Sequence, residues 1–257
     1  MNKICVYYFS GTGMTKYIVD GVINEFNKHG NMIDCFKIED TRNAVLSEYD
    51  LFGIAYPVHS FNAPKIVINF VQRLSKSNGV KTFIIHTAGE NAKVNYASSD
   101  LMIKMLKRKG YDVFYNKLIE MPSNFIVKYD DKKVIQIIKK ANEDIPRIAH
   151  EIMTITPYAM KKTIGSQITA VIGRIEWFGA RMMGKLFCAS GDCTRCGKCA
   201  DNCPNQNIIL NKKRVRFKRH CGLCMRCIYQ CPENAICVRQ PFKFICFEKW
   251  YDDDLFQ

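Results

Sequence analysis

The feature that most constrains this 257-residue chain is a cysteine pattern that occurs twice. Cys193, Cys196, Cys199 and Cys203 are spaced C-x2-C-x2-C-x3-C and followed by Pro204. Cys221, Cys224, Cys227, Cys231 and Pro232 repeat the pattern 28 residues later, with Ile208 and Ile236 also in step. A repeat of this kind implies two equivalent structural halves. Eleven of the thirteen cysteines fall between Cys188 and Cys246. Where no secretory leader is expected, such crowding points to metal ligation rather than to a disulfide scaffold.

The spacing narrows the metal. Three thiolates on one tight loop reach three iron corners of a cubane, and the fourth corner needs a ligand from elsewhere, which the second copy of the loop supplies. The expected sets are Cys193, Cys196 and Cys199 with Cys231 for one [4Fe-4S] cluster, and Cys221, Cys224 and Cys227 with Cys203 for the other. Zinc is the competing reading, but a zinc site of paired C-x2-C motifs wants a longer spacer between its pairs. Cys5 and Cys35 lie in strand-like segments and read as small core residues. Cys188, Cys237 and Cys246 flank the ligands without a matching spacing.

A hydrophobic fraction of 47% with 24% charged residues excludes a disordered or low-complexity chain. No uncharged apolar run reaches the length of a spanning helix. Met1 to Phe9 shows no leader-like cleavage pattern, so the cytosol is the expected compartment. The formal charge of +14 divides into +6 over residues 1–150, with 21 basic and 15 acidic side chains, and +8 over the rest, with 17 and 9. Eight thiolates on two clusters would turn part of the second excess into local compensation, which weakens a nucleic-acid reading. Lys212, Lys213, Arg214, Arg216, Lys218, Arg219 and His220 alternate with Val215 and Phe217, as in a hairpin strand with outward cations. No aromatic stacking pattern accompanies them, so a solvated face is preferred, with docking of an acidic redox partner second.

The first 150 residues alternate between strand-like and helix-like patterns, which indicates an α/β protein with a doubly wound parallel sheet. The expected strands are Lys3–Phe9, Met32–Ile38, Leu51–Tyr56, Thr82–Thr87 and Asp112–Met121. Between and after them come helices Met14–Asn27, Pro64–Leu74, Ala97–Arg108 and Lys132–Ile155, the last with Pro146 inside. A connector, 156–187, carries an apolar stripe through Ile164, Ile168, Val171, Ile172, Ile175, Phe178, Met182 and Leu186, with Arg174, Arg181 and Lys185 alongside. The stripe reads first as a strut packed between two domains, 1–155 and 188–257, and second as a basic amphipathic helix in weak contact with a membrane surface.

The loop after the first strand is Ser10, Gly11, Thr12, Gly13, Met14 and Thr15. Small residues feeding a helix N-terminus aim backbone N–H groups and the helix dipole at one spot, an anion site to which three hydroxyls can add. Neither the Walker pattern nor G-x-G-x-x-G is present; position 16 is Lys.

This segment resembles the phosphate loop of the flavodoxin family, [ST]-x-T-G-x-T, and the similarity extends less sharply over about residues 1 to 150. The cysteine-rich part is similar to two-cluster bacterial ferredoxins. The resemblance implies a flavodoxin-like five-stranded sheet of order 2-1-3-4-5, followed by a small α+β ferredoxin-like domain with two [4Fe-4S] clusters. It also implies FMN, with its phosphate on Ser10–Thr15 and its ring between two loops. One of these is Pro57, Val58, His59, Ser60 and Phe61; the other is Thr87, Ala88 and Gly89, followed by Asn95 and Tyr96. His59, Phe61 and Tyr96 are the aromatic candidates beside the ring, and amides near Val58, His59 and Gly89 would meet its polar edge. His86, inside a strand, reads as structural. Flavodoxins are strongly acidic, and the +6 here departs from that.

The expectation is an electron carrier that couples two-electron and one-electron steps, exchanging with a protein donor and acceptor. A flavin-dependent reductase fed by the clusters is the alternative, with His59, Tyr96 or Glu90 as proton donors. A regulatory module with structural zinc is the third. No nicotinamide-binding segment is visible.

Overall fold

The computed structural model describes residues 1–41, 44–90, 92–125, 127–211, 214–239 and 249–251, and divides into two units. The first comprises residues 1–122 and 129–174; the second comprises residues 123–128 and 175–257. Lys212, Lys213 and Cys246 lie outside the described residues.

In the first unit the strands are β1 (Lys3–Tyr8), β2 (Met32–Lys37), β3 (Leu51–Pro57), β4 (Lys81–Ala88) and β5 (Asp112–Glu120). All neighbours pair in parallel, in the order β2-β1-β3-β4-β5. The order is the one implied by the flavodoxin resemblance. Helices α1 (Met14–Lys28), α2 (Lys65–Arg73), α3 (Asp100–Arg108) and α4 (Asp131–Met153) flank the sheet; α1 packs with α4, and α2 with α3. Right-handed crossovers leaving β1 and β3 in opposite directions put these pairs on opposite faces. With both faces covered, β1, β3 and β4 are buried almost end to end instead of alternating. The edge strand β2 is the exception, with Met32, Cys35 and Phe36 exposed. Cys35 is therefore not a core residue, because only one side of β2 has a neighbouring strand; Cys5, on the inner strand β1, is fully buried.

Pro64 stands at the N-cap of α2, one residue earlier than its expected place inside the helix, and α4 continues through Pro146. Helix α5 (Ile164–Ile172) belongs to the first unit and starts on a reciprocal capping box between Thr163 and Ser166. Its burial is inverted: Ser166 and Ala170 are buried, while Ile164, Ile168, Val171 and Ile172 are exposed. The side of α5 packed on the first unit is thus made of small residues rather than of the apolar stripe.

The second unit contains α6 (Glu176–Gly184), β6 (Phe187–Ala189), α7 (Lys198–Asp201), β7 (Ile208–Leu210), β8 (Val215–Phe217), α8 (Arg226–Tyr229) and β9 (Ile236–Val238). Phe125 packs on its core beside Phe187, Ile228 and Val238. The cysteine repeat is a repeat of structure as well. Strand β8 follows β6, α8 follows α7 and β9 follows β7 at the same 28-residue shift. The first strand of each half pairs antiparallel with the second strand of the other, β6 with β9 and β7 with β8. Arg214, Arg216, Lys218, Arg219 and His220 are exposed, with Val215 and Phe217 partly buried between them, as the alternation implies.

Among the described residues, no helix is long and apolar enough to cross a membrane.

Candidate cofactor and metal sites

At the carboxyl end of β1, Phe9 N–H bonds to Ala55 O on β3 (2.9 Å). The chain then turns through Gly13, whose φ of +101° suits glycine, and enters α1. The Ser10 hydroxyl accepts from the N–H groups of Gly13 (3.2 Å) and Lys16 (3.3 Å), which sets the shape of the loop. The Thr15 hydroxyl is buried and meets the Thr87 hydroxyl at 2.8 Å. Of the three hydroxyls expected on one anion, two therefore also hold the loop in place. Gly11 and Thr12 are half-buried, Gly13 is exposed, and a Cβ on Gly13 would meet nothing within 4 Å. The first turn of α1 thus opens beside free space, with the helix dipole and N-terminal N–H groups directed there.

The second loop is tied to the same place. Val58 N–H bonds to Thr87 O (2.7 Å), while His59 and Asn62 bond to each other in both directions (2.8 and 2.9 Å). The two residues between, Ser60 and Phe61, have φ of 43° and 64°. Two successive left-handed non-glycine residues make a strained turn. Asn62 holds it from below: its buried side-chain amide donates to Ala170 O on α5 (2.5 Å) and to Ser60 O (3.3 Å). His59 and Phe61 are half-buried, and the His59 ring stands edge-on to Phe9, 6.5 Å between centroids.

Along the third loop, Gly89 O accepts from the Tyr129 hydroxyl (2.6 Å), and the Asn95 amide donates to Glu90 O (2.9 Å). Asn95 thus closes its own loop. Tyr96 lines a cleft beside β5 with Lys117, Arg147 and Tyr158. The fold therefore draws Ser10–Thr15, Pro57–Phe61 and Thr87–Gly89 together through direct hydrogen bonds. The place is the switch point of the strand order, outside the strand ends, where ligands of such sheets bind.

His86 is fully buried, with Nδ1 3.0 Å from the Ser98 hydroxyl and its ring stacked on Tyr56. Burial pushes its pKa down to about 3, so it is neutral and structural. Sequence reasoning missed Asn62, Tyr129 and Thr169 as supports of this rim, beside the close approach of Gly173. Thr169 donates to Val94 O (3.2 Å), and a Cβ on Gly173 would fall 1.9 Å from Ser60 O. The signal present was the small-residue spacing Ser166, Ala170 and Gly173, which lets a helix approach closely.

In the second unit two small cavities are lined by four cysteines apiece. One has Cys193, Cys196, Cys199 and Cys231; the other has Cys221, Cys224, Cys227 and Cys203. The crossed fourth thiol expected from spacing is thus how the thiols group. The remaining walls also correspond: Pro232, Val215, Ile236 and Ala189 in one, Pro204, Phe187, Ile208 and Phe217 in the other. The loops share their unusual backbone, with left-handed Arg195 and Gly197 matched by Leu223 and Met225, and Gln206 by Asn234. Each Cys-Pro thiol accepts one N–H, Cys203 from Asn207 (3.2 Å) and Cys231 from Ala235 (3.3 Å).

Burial and neighbouring thiols push Cys199 up to about 11, Cys221 to about 12 and Cys227 well up. Without a cation these thiols stay protonated, so loading with metal must release protons. Among the described residues no three ligating side chains lie close enough to hold a single ion. Cys188 and Cys237 lie opposite each other on β6 and β9, Sγ to Sγ 3.3 Å, outside both cavity linings.

The chain matches no known protein-family model and no curated protein. Many solved structures resemble it over part of its length, including the following three. Oxidised flavodoxin 1 from Bacillus cereus is 17% identical with a TM-score of 0.46, covering 59% of this chain and 97% of that one. Oxidised flavodoxin 2 from the same organism is 15% identical with a TM-score of 0.47, covering 59% and 98%. An azoreductase from Bacillus anthracis is 9% identical with a TM-score of 0.46, covering 59% and 100%. The fold class rests on this chain's own strand order and crossovers: a flavodoxin-like α/β sheet joined to a small cysteine-rich unit.

Proposed function

We propose that this chain is an electron-transfer protein of a reducing, cytoplasmic compartment, carrying FMN in its first unit and two [4Fe-4S] clusters in its second. The observation that carries the reading is the grouping of eight cysteines into two apolar-walled cavities, each completed by a thiol from the other half. That arrangement serves four-iron cubanes better than single zinc ions. FMN exchanges one or two electrons and each cluster one, which would make the chain a converter between the two kinds of step.

The chain's own residues divide the work. The N–H groups of the Ser10–Thr15 loop and the dipole of α1 would bind a dianionic phosphate, and the Thr15–Thr87 contact keeps that loop on β4. The strained His59–Asn62 turn and the Thr87–Gly89 segment would flank a planar ring. In the second unit, Cys193, Cys196, Cys199 and Cys231 would hold one cluster and Cys221, Cys224, Cys227 and Cys203 the other. N–H donation from Asn207 and Ala235 to cysteine sulfur favours the more reduced, more negative state. Exposed Arg214, Arg216, Lys218 and Arg219 would speed encounter with an acidic protein donor or acceptor.

Anaerobic purification with iron, sulfide and flavin quantitation tests the reading. About eight irons, eight sulfides and one FMN per chain are expected from two four-iron clusters and one phosphate loop. Reductive titration should then show flavin and cluster absorbance changing in exchange with each other. Zinc in place of iron, or absence of flavin, overturns the corresponding half.

A further inference from the structure

The observation is the inverted helix α5. A surface helix ordinarily turns its apolar stripe to the core, as α2 does with Val67, Ile68, Phe70 and Val71. Helix α5 instead exposes Ile164 by 79%, Ile168 by 54%, Val171 by 59% and Ile172 by 58%. It is fixed in that orientation: the Thr163–Ser166 box caps it, Thr169 bonds to Val94 O, Asn62 bonds to Ala170 O, and Gly173 follows it against Ser60 O. Rolling the isoleucines inward would break every one of these contacts.

Cations outnumber acidic groups in the sequence around the helix, with Lys162 paired to Asp100 (2.6 Å). Lys161 and Lys162 precede it, Arg174 follows it, and between Glu151 and Asp192 the chain has a single acidic residue, Glu176. In the second unit, taken by itself, α6 and its entry continue the character, with Ile175, Phe178 and Met182 exposed beside Arg181.

We propose that α5 is an interfacial anchor that lies in the plane of an anionic lipid surface. Branched apolar side chains flanked by cations are the composition of such helices, with burial of the apolar face and attraction to anionic headgroups adding together. Nine residues of helix span about 13 Å, too short to cross a bilayer. A second copy of this chain fits less well. A twofold contact through α5 would set Lys161 and Arg174 against like charges, and one short helix falls far below the roughly 800 Å² per partner of a stable interface.

The test uses the full-length protein with its cofactors. It is sedimented with vesicles of equal phosphatidylglycerol and phosphatidylcholine, and with phosphatidylcholine alone, in 0.1 M and 0.5 M salt. Binding to the anionic vesicles should be at least tenfold stronger and weaken with salt. Ile168→Glu with Val171→Glu, both exposed positions, should lower it at least tenfold while melting temperature and cofactor content stay unchanged; Lys161→Glu should reduce it less. Equal partition of the double variant, no preference for anionic lipid, or a dimer abolished by the double variant in protein that does not bind vesicles would overturn the proposal. The readout does not depend on electron transfer, so it stands or falls separately from the proposed function.

Discussion

The crossed cysteine sets make a prediction that an uncrossed arrangement cannot share. Cys231→Ser and Cys196→Ser should each reduce bound iron from about eight to about four, and the two together should cost no more than either alone, because both thiols line one cavity. Cys196→Ser with Cys203→Ser should lose nearly all the iron, because those thiols line different cavities. Iron content of anaerobically prepared variants settles the matter. A second residue, Thr15, joins two loops through one buried contact. Thr15→Val leaves the Thr87 hydroxyl without its partner and should cost about 1–3 kcal/mol in denaturant unfolding, with weaker flavin retention. His86 carries a pH signature. Its folded pKa of about 3 lies below the 6.5 of an unfolded histidine, so above pH 6.5 it contributes no pH dependence. As pH falls from 6.5 towards 3, the unfolded chain takes up a proton that the folded chain refuses, and stability drops by up to about 1.4 kcal/mol per pH unit. In His86→Gln, whatever its stability at pH 7, the loss between pH 6.5 and 5 measured by urea unfolding should be shallower.

Among the elements, those with a strong local pattern were legible in sequence and those defined by distant contacts were not. Strands β1, β3, β4 and β5 and helices α1 to α4 follow from buried runs and helical spacing, because each buries a face that its own residues mark. The structural repeat was visible because it needs only an offset. The outward face of α5 was hidden, since a stripe of Ile and Val spaced for a helix does not say on which side the protein lies; small Ser166, Ala170 and Gly173 marked that side. Cys35 misled for a related reason: a strand pattern does not reveal that the strand is at the edge. Two glycines make the element contacts testable. A side chain at Gly173 would collide with Ser60 backbone, so Gly173→Ala should loosen α5 and speed limited proteolysis between residues 155 and 175. At Gly184, the end of α6, a Cβ would fall 2.1 Å from Cys221 Cβ. Gly184→Ala should therefore lower iron at the Cys221 cavity selectively, leaving about four irons in the other.

For the molecule as a whole, the two units rest on different kinds of interior. The first has a continuous core on both faces of a five-stranded sheet. The second gathers a small apolar cluster, with Phe187, Ile228 and Val238, around cysteine-lined cavities. Metal-dependent small folds lose their stability with the metal. Calorimetry of the loaded protein should show two transitions, and anaerobic chelation should abolish the one belonging to the second unit while shifting the other by no more than a few degrees. The interleaving of the halves also orders events during synthesis. Strand β6 waits for β9, and the thiols of the first loop wait for Cys231, which is made 28 residues after its counterpart Cys203. A nascent chain that ends at residue 220 thus has four of the eight cavity-lining thiols and neither set complete. If the proposed clusters are present, their iron has to be delivered late, after the chain beyond Cys231 has emerged.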